Sequence, residues 1–256
     1  MVADPFIAIA ISVVGLCFGS FLNVCILRLP KDQSLLRPPS TCPHCGHRIA
    51  WFDNIPVVSW LVLRGKCRQC GAGISVQYPL IELLVGLIWL ACYLLYGLTL
   101  HGLAGAVLGT ILLGIGITDA RHYLIPDEYT WGGLALGLAL SLEGGWQGFV
   151  YAVIGAATGF GLLYVVGEVG RWLFKEEAMG GGDIKMMAMV GSFVGWKGVL
   201  LTIFAGALFG TLIFVPLSLR KKRLVPFGVF LAVGAAVTFI WGDGILEWYR
   251  HFLSGT

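Results

Sequence analysis

Charge is what this chain has least of. Lys, Arg, Asp and Glu make up 12% of its 256 residues and hydrophobic side chains 57%, where a soluble domain carries about 25% charged residues. With a mean hydropathy of +0.85, an ordinary soluble globular protein is excluded and a polytopic membrane protein is indicated. The apolar runs lack the period-2 alternation of a transmembrane barrel, so strands give way to helices. There is no basic start leading to a small-residue cleavage site, and the run from Pro5 to Leu27 is long enough for a full span. It therefore reads as a retained first helix, not a signal peptide. No strand leads into a Gly-rich turn of the dinucleotide-binding type, which removes the usual nucleotide-cofactor fold.

What is present is a series of further apolar runs: Leu80 to Tyr96, Leu103 to Thr118, Tyr129 to Leu142, Phe149 to Val166, Ile184 to Val194, Val199 to Leu219 and Val225 to Ile240. The expectation is an all-α polytopic membrane protein of about eight transmembrane helices, their glycines allowing close approach. Basic residues collect in cytoplasmic loops. Eight alternating spans place Arg28, Lys31, Arg37, Arg48, Arg64, Lys66, Arg68, Arg121, Arg171, Lys175, Lys185 and the run Arg220 to Arg223 inside, leaving Lys197 and Arg250 outside. Both termini are then expected away from the cytoplasm. The run 220–223 reads as a topology anchor and not as a nucleic-acid site, since nothing aromatic or polar accompanies it to engage bases.

One polar domain interrupts the pattern, at 30–78, between a first helix at 1–29 and a helical domain at 79–256. It holds "CPHC" at Cys42 and Cys45 and "CRQC" at Cys67 and Cys70. Two tight turns delivering two thiolates each suit one tetrahedral zinc ion. Gly46 and Gly71 follow the pairs, as a knuckle turn with backbone N–H groups aimed at sulfur requires. The competing reading, two disulfides, conflicts with the reducing cytoplasm. His44 and His47 are treated as bystanders. A module this small builds little core, so the metal is expected to be structural. Cys17, Cys25 and Cys92 lie in apolar spans and read as small hydrophobes.

Acids in or beside membrane spans are costly and need a reason. Glu82 lies in the first turn of its span, where the helix dipole favours it. Glu168 precedes Arg171 by three residues and reads as an ordinary pair. Asp127 reads as a helix cap. Asp119 ends its span at the unfavourable end of the helix dipole, with no capping role to explain it. Asp183, after Gly180, Gly181 and Gly182, can be a plain N-cap of the helix that follows. That helix is short: Ile184 to Val194 is eleven residues, at about 1.5 Å each roughly half of a 30 Å bilayer core. The run from Tyr129 is short as well. Two short helices starting beside acids imply a water-accessible cavity below the lipid surface. Two carboxylates brought together there share a proton, the arrangement of an aspartic protease. The three glycines are expected to leave room for an extended substrate backbone.

These residues carry a resemblance. "GGGD" at Gly180 to Asp183 resembles the Gly-x-Gly-Asp motif of intramembrane aspartic proteases, and "DARHYLIPDEYT" from Asp119 resembles the companion motif of bacterial type IV prepilin peptidases. "FGSFLNVCILRLP" from Phe18, the two cysteine pairs and "YPLIEL" from Tyr78 are similar to that family in order and spacing. The resemblance implies a bifunctional enzyme of the inner membrane. Such an enzyme cuts the leader of type IV prepilins and of type II secretion pseudopilins after a glycine, then N-methylates the new first residue, usually Phe, with S-adenosylmethionine. By position it makes Asp119 and Asp183 the catalytic pair and Gly180 and Gly182 the motif glycines. Both aspartates and the zinc domain fall on the cytoplasmic side. Glu82, Asp127 and Glu128 are the nearest candidates to meet the basic leader, and Gly65 and Lys66 are candidates for the cofactor site. Three alternatives stay open: a peptidase without the transferase, a transporter using the paired acids as a proton relay, and a noncatalytic assembly factor.

Overall fold

The structure is a computed structural model and describes residues 4–176, 179–218 and 226–254. The basic run 220–223 lies outside the described residues. The chain forms two compact units, Met1–Thr110 and Ile111–Thr256. Apart from two isolated bridges, the regular elements among the described residues are helical.

Unit 1 is built on two long helices, α1 (Pro5–Arg28) and α3 (Gln77–Tyr96). Asp4 caps α1, its carboxylate accepting from Phe6 N–H at 2.8 Å, and Pro5 opens the first turn, a position where its missing N–H costs nothing. The helices pack through glycines one turn apart. A methyl on Gly15 would lie 2.8 Å from Trp89 Cβ, and one on Gly19 would lie 2.6 Å from Glu82 Cα. Close approach of this kind replaces the hydrophobic effect that lipid cannot supply.

Between these helices the chain forms the cysteine module, with a 3₁₀ turn at Trp51–Asn54 and a one-turn helix α2 at Val58–Val62. Its two knuckles repeat each other twenty-five positions apart. Cys42 N–H donates to His47 and Cys67 N–H to Ala72, while Gly46 N–H returns to Cys42 and Gly71 N–H to Cys67. Thr41 bridges Arg48 as Lys66 bridges Gly73. Gly46 and Gly71 have φ of 69° and 71°, the left-handed region that glycine enters without cost. Arg68 ties the second knuckle to the 51–54 turn by a bidentate pair with Asp53, at 2.8 and 2.6 Å.

The remaining helices are α4 (Leu100–His122), which ends in unit 2, α5 (Asp127–Leu140), α6 (Gly145–Phe174), α7 (Gly181–Ser218) and α8 (Phe227–Ser254). In unit 2 the first half of α7 is the core. Met186, Met187, Met189 and Val190 have no exposed surface. Helix α6 reaches its backbone directly, since a methyl on Gly155 would collide with the Gly191 carbonyl and one on Gly159 with that of Met187. Helix α5 lies on it through Gly133, facing Met189, and Gly137, facing Ser192. The methionine-rich run is therefore packing: flexible side chains fill the gaps that the glycines create.

Among the described residues six helical stretches are long and apolar enough to cross a membrane: Pro5–Lys31, Gln77–Tyr96, Leu100–His122, Asp127–Phe174, Gly181–Ile213 and Phe227–Phe252. The expected count of about eight is not confirmed by length and composition alone: two of these stretches each hold two of the apolar runs, with a break between them. Tyr129 to Leu142 and Phe149 to Val166 are separated only by a 3₁₀ turn at Ser141–Gly144 and by Gly145 at φ 63°. Ile184 to Val194 and Val199 to Leu219 are separated only by Gly195, at φ 67° and ψ 176°. A single Gly break ends one helix and admits the next without a polar loop. The two short segments nevertheless exist: α5 has 14 residues, and α7 runs a similar length before Gly195, about 20 Å each.

Candidate active site and metal centre

Asp119 sits in the last turn of α4 and is 6% exposed. The sequence offered no reason for an acid there. The structure supplies one from the far end of the chain: Asp119 Oδ2 accepts the N–H of Val229 at 3.2 Å, and the Gly228 amide also reaches the carboxylate. Both amides belong to the opening turn of α8, so the positive end of one helix dipole meets the acid placed at the negative end of another.

Asp183 lies in the first turn of α7, half-buried, its own N–H donating to Gly180 at 3.1 Å. Its carboxylate is within electrostatic reach of Asp119. Ile125, buried in the 123–126 turn, touches the helices that carry and hold the pair. It lies 3.0 Å from where a Gly182 methyl would be and 2.8 Å from where a Gly228 methyl would be, while that second methyl would stand 2.9 Å from Asp119 Oδ2. The structure thus brings together two carboxylates 64 positions apart in sequence. Such a pair shares protons as a unit, and one member can take a proton while the other donates.

The motif glycines divide by role. The space over Gly182 is filled by Ile125, and a methyl on Gly180 would lie 3.2 Å from Asp183 Oδ2, whereas Gly181 faces open space. Of the three glycines expected to leave room for substrate, Gly181 alone has open space over it; Gly182 is packed under Ile125 and Gly180 lies against the Asp183 carboxylate.

The three candidate leader contacts fare differently. Asp127 does not cap α5: Pro126 holds that place without a side-chain bond, and the Asp127 carboxylate pairs with Lys185 Nζ at 2.7 and 2.8 Å. Lys185 is two residues beyond Asp183, so this pair joins the starts of α5 and α7. Glu128 is exposed in the same first turn. Glu82, in unit 1, is 7% exposed, and its Oε2 accepts the Val57 N–H at 2.7 Å. Glu168 and Arg171 pair as expected.

Among the contacts around the two aspartates and Asp127 that sequence reasoning missed are Val229, Gly228, Ile125 and Lys185. Only the Pro226-Phe227-Gly228 opening of α8 carried a signal, as a proline-led helix start.

In the cysteine module Cys42, Cys45, Cys67 and Cys70 bring their sulfurs within 4.8 Å of one another. Cys42 Sγ and Cys70 Sγ are 3.9 Å apart, far beyond a disulfide bond of about 2.05 Å and near the roughly 3.8 Å edge of a tetrahedron with Zn–S of about 2.3 Å. The backbone N–H groups of Cys45 and His44 pull the Cys42 thiol down to about 6, so a thiolate is available near neutral pH. Four soft donors at this spacing can hold a metal ion, and His44 and His47 stand outside the cluster, exposed. Gly65 and Lys66 begin the second knuckle. Gly65, at φ 66°, lies under the Trp60 indole, where a methyl would be 2.9 Å from Cζ2, and Lys66 is exposed. The glycine is thus accounted for by a turn and a close approach.

Comparison with known proteins agrees with this division. The family described as "Bacterial Peptidase A24 N-terminal domain" matches residues 13–96, and the "Type IV leader peptidase family" matches residues 106–215. A Myxococcus xanthus (strain DK1622) protein named prepilin leader peptidase/N-methyltransferase is 41% identical over 222 residues, covering 87% of this chain and 66% of that protein. Proteins of the same name from Xanthomonas campestris pv. campestris and from Aeromonas hydrophila are each 35% identical, covering 93% and 92% of this chain and 92% and 91% of their own lengths. No solved structure matches the chain.

Proposed function

This chain belongs to the type IV leader peptidase family, and from that premise we propose that it cleaves the leader of type IV prepilins or type II pseudopilins and N-methylates the residue so exposed. One observation carries the peptidase half: Ile125 packs both on Gly182, beside Asp183, and on Gly228, beside Asp119, in one unit, with a helix N-terminus aimed at Asp119. The ionised member takes a proton from water as the oxygen attacks the scissile carbonyl, and the protonated member donates to that carbonyl's oxygen. Gly181 is the open position beside which the substrate backbone passes. Glu128, exposed at the start of α5, meets the basic leader, with Asp127 held back by Lys185.

The site faces the cytoplasm of an inner membrane, a reading supported by the placement of the basic residues. Zinc occupies the four-cysteine cluster and holds the module together, a structural role that suits four sulfur donors with none left open. S-adenosylmethionine supplies an activated methyl group, with Gly65 and Lys66 at the edge of its site.

The test is to incubate the purified full chain in lipid nanodiscs with a prepilin and S-adenosylmethionine, and to read the product's N-terminus by mass. Loss of the leader and gain of one methyl are expected. Cleavage that persists in Asp119→Ala or Asp183→Ala would remove the aspartate mechanism, and cleavage without methyl gain would reduce the protein to a peptidase.

A further inference from the structure

Unit 1 contains a buried polar cluster that neither the peptidase chemistry nor the metal site uses. Glu82 on α3 is 7% exposed and Asn23 on α1 is 2% exposed. They lie one turn apart on a shared interface: Gly19 of α1 rests on Glu82. One turn on along α1 and one turn back along α3, Asn23 Nδ2 donates to the Tyr78 carbonyl at 3.0 Å and to the Gly19 carbonyl at 3.3 Å. Asn23 Oδ1 is buried with no hydrogen-bond partner, an arrangement that leaves an acceptor unsatisfied at real cost. An ionised carboxylate has about four lone-pair sites, and Glu82 has two protein donors, the Val57 N–H and the Ser20 hydroxyl. No ion pair among the described residues involves Glu82. The cover over it is strained: Val57 has φ 60° and ψ −49°, a conformation β-branched residues rarely adopt, and strain of this kind clusters at functional sites.

We propose that this cluster binds the α-amine of the processed pilin and that Glu82 is the base that frees it for methylation. The inference rests on the transferase half of the function proposed above. Two buried acceptors on the same helix interface, a carboxylate with spare lone pairs and an amide oxygen with no partner, suit a ligand that brings N–H donors and positive charge, which is an ammonium group. The ammonium replaces the Val57 amide on Glu82, and release of that bond lets the strained turn relax. One proton passes from nitrogen to the Glu82 carboxylate. The freed lone pair forms the N–C bond to the methyl of the sulfonium donor. The C–S bond breaks with its electron pair on sulfur, leaving a methylated ammonium and a neutral thioether. Asn23 Oδ1 accepts a remaining N–H and orients the nitrogen. The titratable groups on the elements around Glu82 are Cys17, Cys25 and Arg28 on α1, Tyr78, Cys92, Tyr93 and Tyr96 on α3, and Asp53 in the covering segment; Arg28 is taken up by the carbonyls of Ser34 and Pro38, and Asp53 is held by Arg68.

A free α-amine titrates near 8, so about a tenth is neutral at pH 7 and most at pH 9. With the full chain in nanodiscs, Glu82→Gln is therefore expected to methylate cut pilin about tenfold more slowly at pH 7 and within about twofold of the unaltered enzyme at pH 9. Leader cleavage should be unchanged at both. An equal loss at both pH values, or no loss, overturns the proposal. The unaltered enzyme provides a test independent of folding. A peptide of the cut pilin N-terminus with p-benzoylphenylalanine as its first residue is photocrosslinked and the adduct mapped. Adducts within 16–26 or 55–82 are expected, and adducts confined to 111–256 overturn it. If the unaltered enzyme transfers no methyl group at all, it is the transferase reading that fails.

Discussion

Two buried carboxylates, Glu82 and Asp119, sit at different places along their helices and have the same kind of partner. Glu82 was expected in the first turn of its span, but α3 begins at Gln77 and leaves it in the second turn, beyond the reach of the helix dipole. What holds it is the amide of a strained loop residue, Val57. Asp119 lies at the end of α4, where the dipole opposes it, and takes an amide from the start of α8. The first acid is held by a segment 25 positions away and the second by one 110 positions away. The difference teaches how each acid is held. Unit 1 makes its polar site from local chain held in place by the cysteine knuckles. Unit 2 makes its own by bringing distant helix ends onto the core of α7.

The sharpest way to break this comparison is to remove the acids of unit 2. Asp119→Ala and Asp183→Ala are each expected to lower leader cleavage by roughly 10²–10⁴-fold while methylation of pilin already cut continues, both read by product mass. Removing the metal acts on the other side. Cys42→Ser with Cys67→Ser takes one thiolate from each knuckle. Metal content by elemental analysis should fall to near zero and residues 30–76 should become protease-sensitive, because the ligands hold a module too small to fold on its core. A smaller effect tests the α8 contact. Gly228→Ala places a methyl 2.9 Å from Asp119 Oδ2 and 2.8 Å from Ile125 Cδ1, and cleavage is expected to drop by about tenfold, one misplaced contact's worth, with methylation untouched.

The smallest effect belongs to Asp53. The hydrogen bonds and charge of Arg68 hold its carboxyl below the usual carboxylate range. A depressed folded value means that the pair stabilises the module above the unfolded value of about 3.9 and that the contribution is lost as pH falls through the folded value. Asp53→Asn should therefore lower the module's protection from proteolysis slightly at pH 7, and the difference from the unaltered protein should vanish in strong acid. Equal sensitivity at pH 7 would show that the bidentate contact does not help hold the second knuckle.

Much of the architecture was legible because its signals are local. Apolar runs, cysteine spacing and the Gly-x-Gly-Asp motif each involve neighbouring residues, and the helices, the knuckles and Asp183 at a helix start followed from them. Each apolar run corresponds to a helical segment, but what joins them was not legible, because a lone Gly145 or Gly195 ends a helix without the polar loop that separates spans in a hydropathy pattern. Asp127 was misread as a cap for a related reason: its partner, Lys185, is 58 positions away.

By itself, then, the sequence determined that this is a helical membrane protein carrying one four-cysteine module and two aspartates in family-type motifs, since hydropathy and short motifs are properties of adjacent residues. Only the tertiary structure decided that Asp119 faces the start of α8, that Ile125 fills the space over Gly182, and that Glu82 lies buried beneath Val57. Those contacts join residues whose separation along the chain carries no periodic signal, and a buried polar atom finds its partner through packing rather than through pattern.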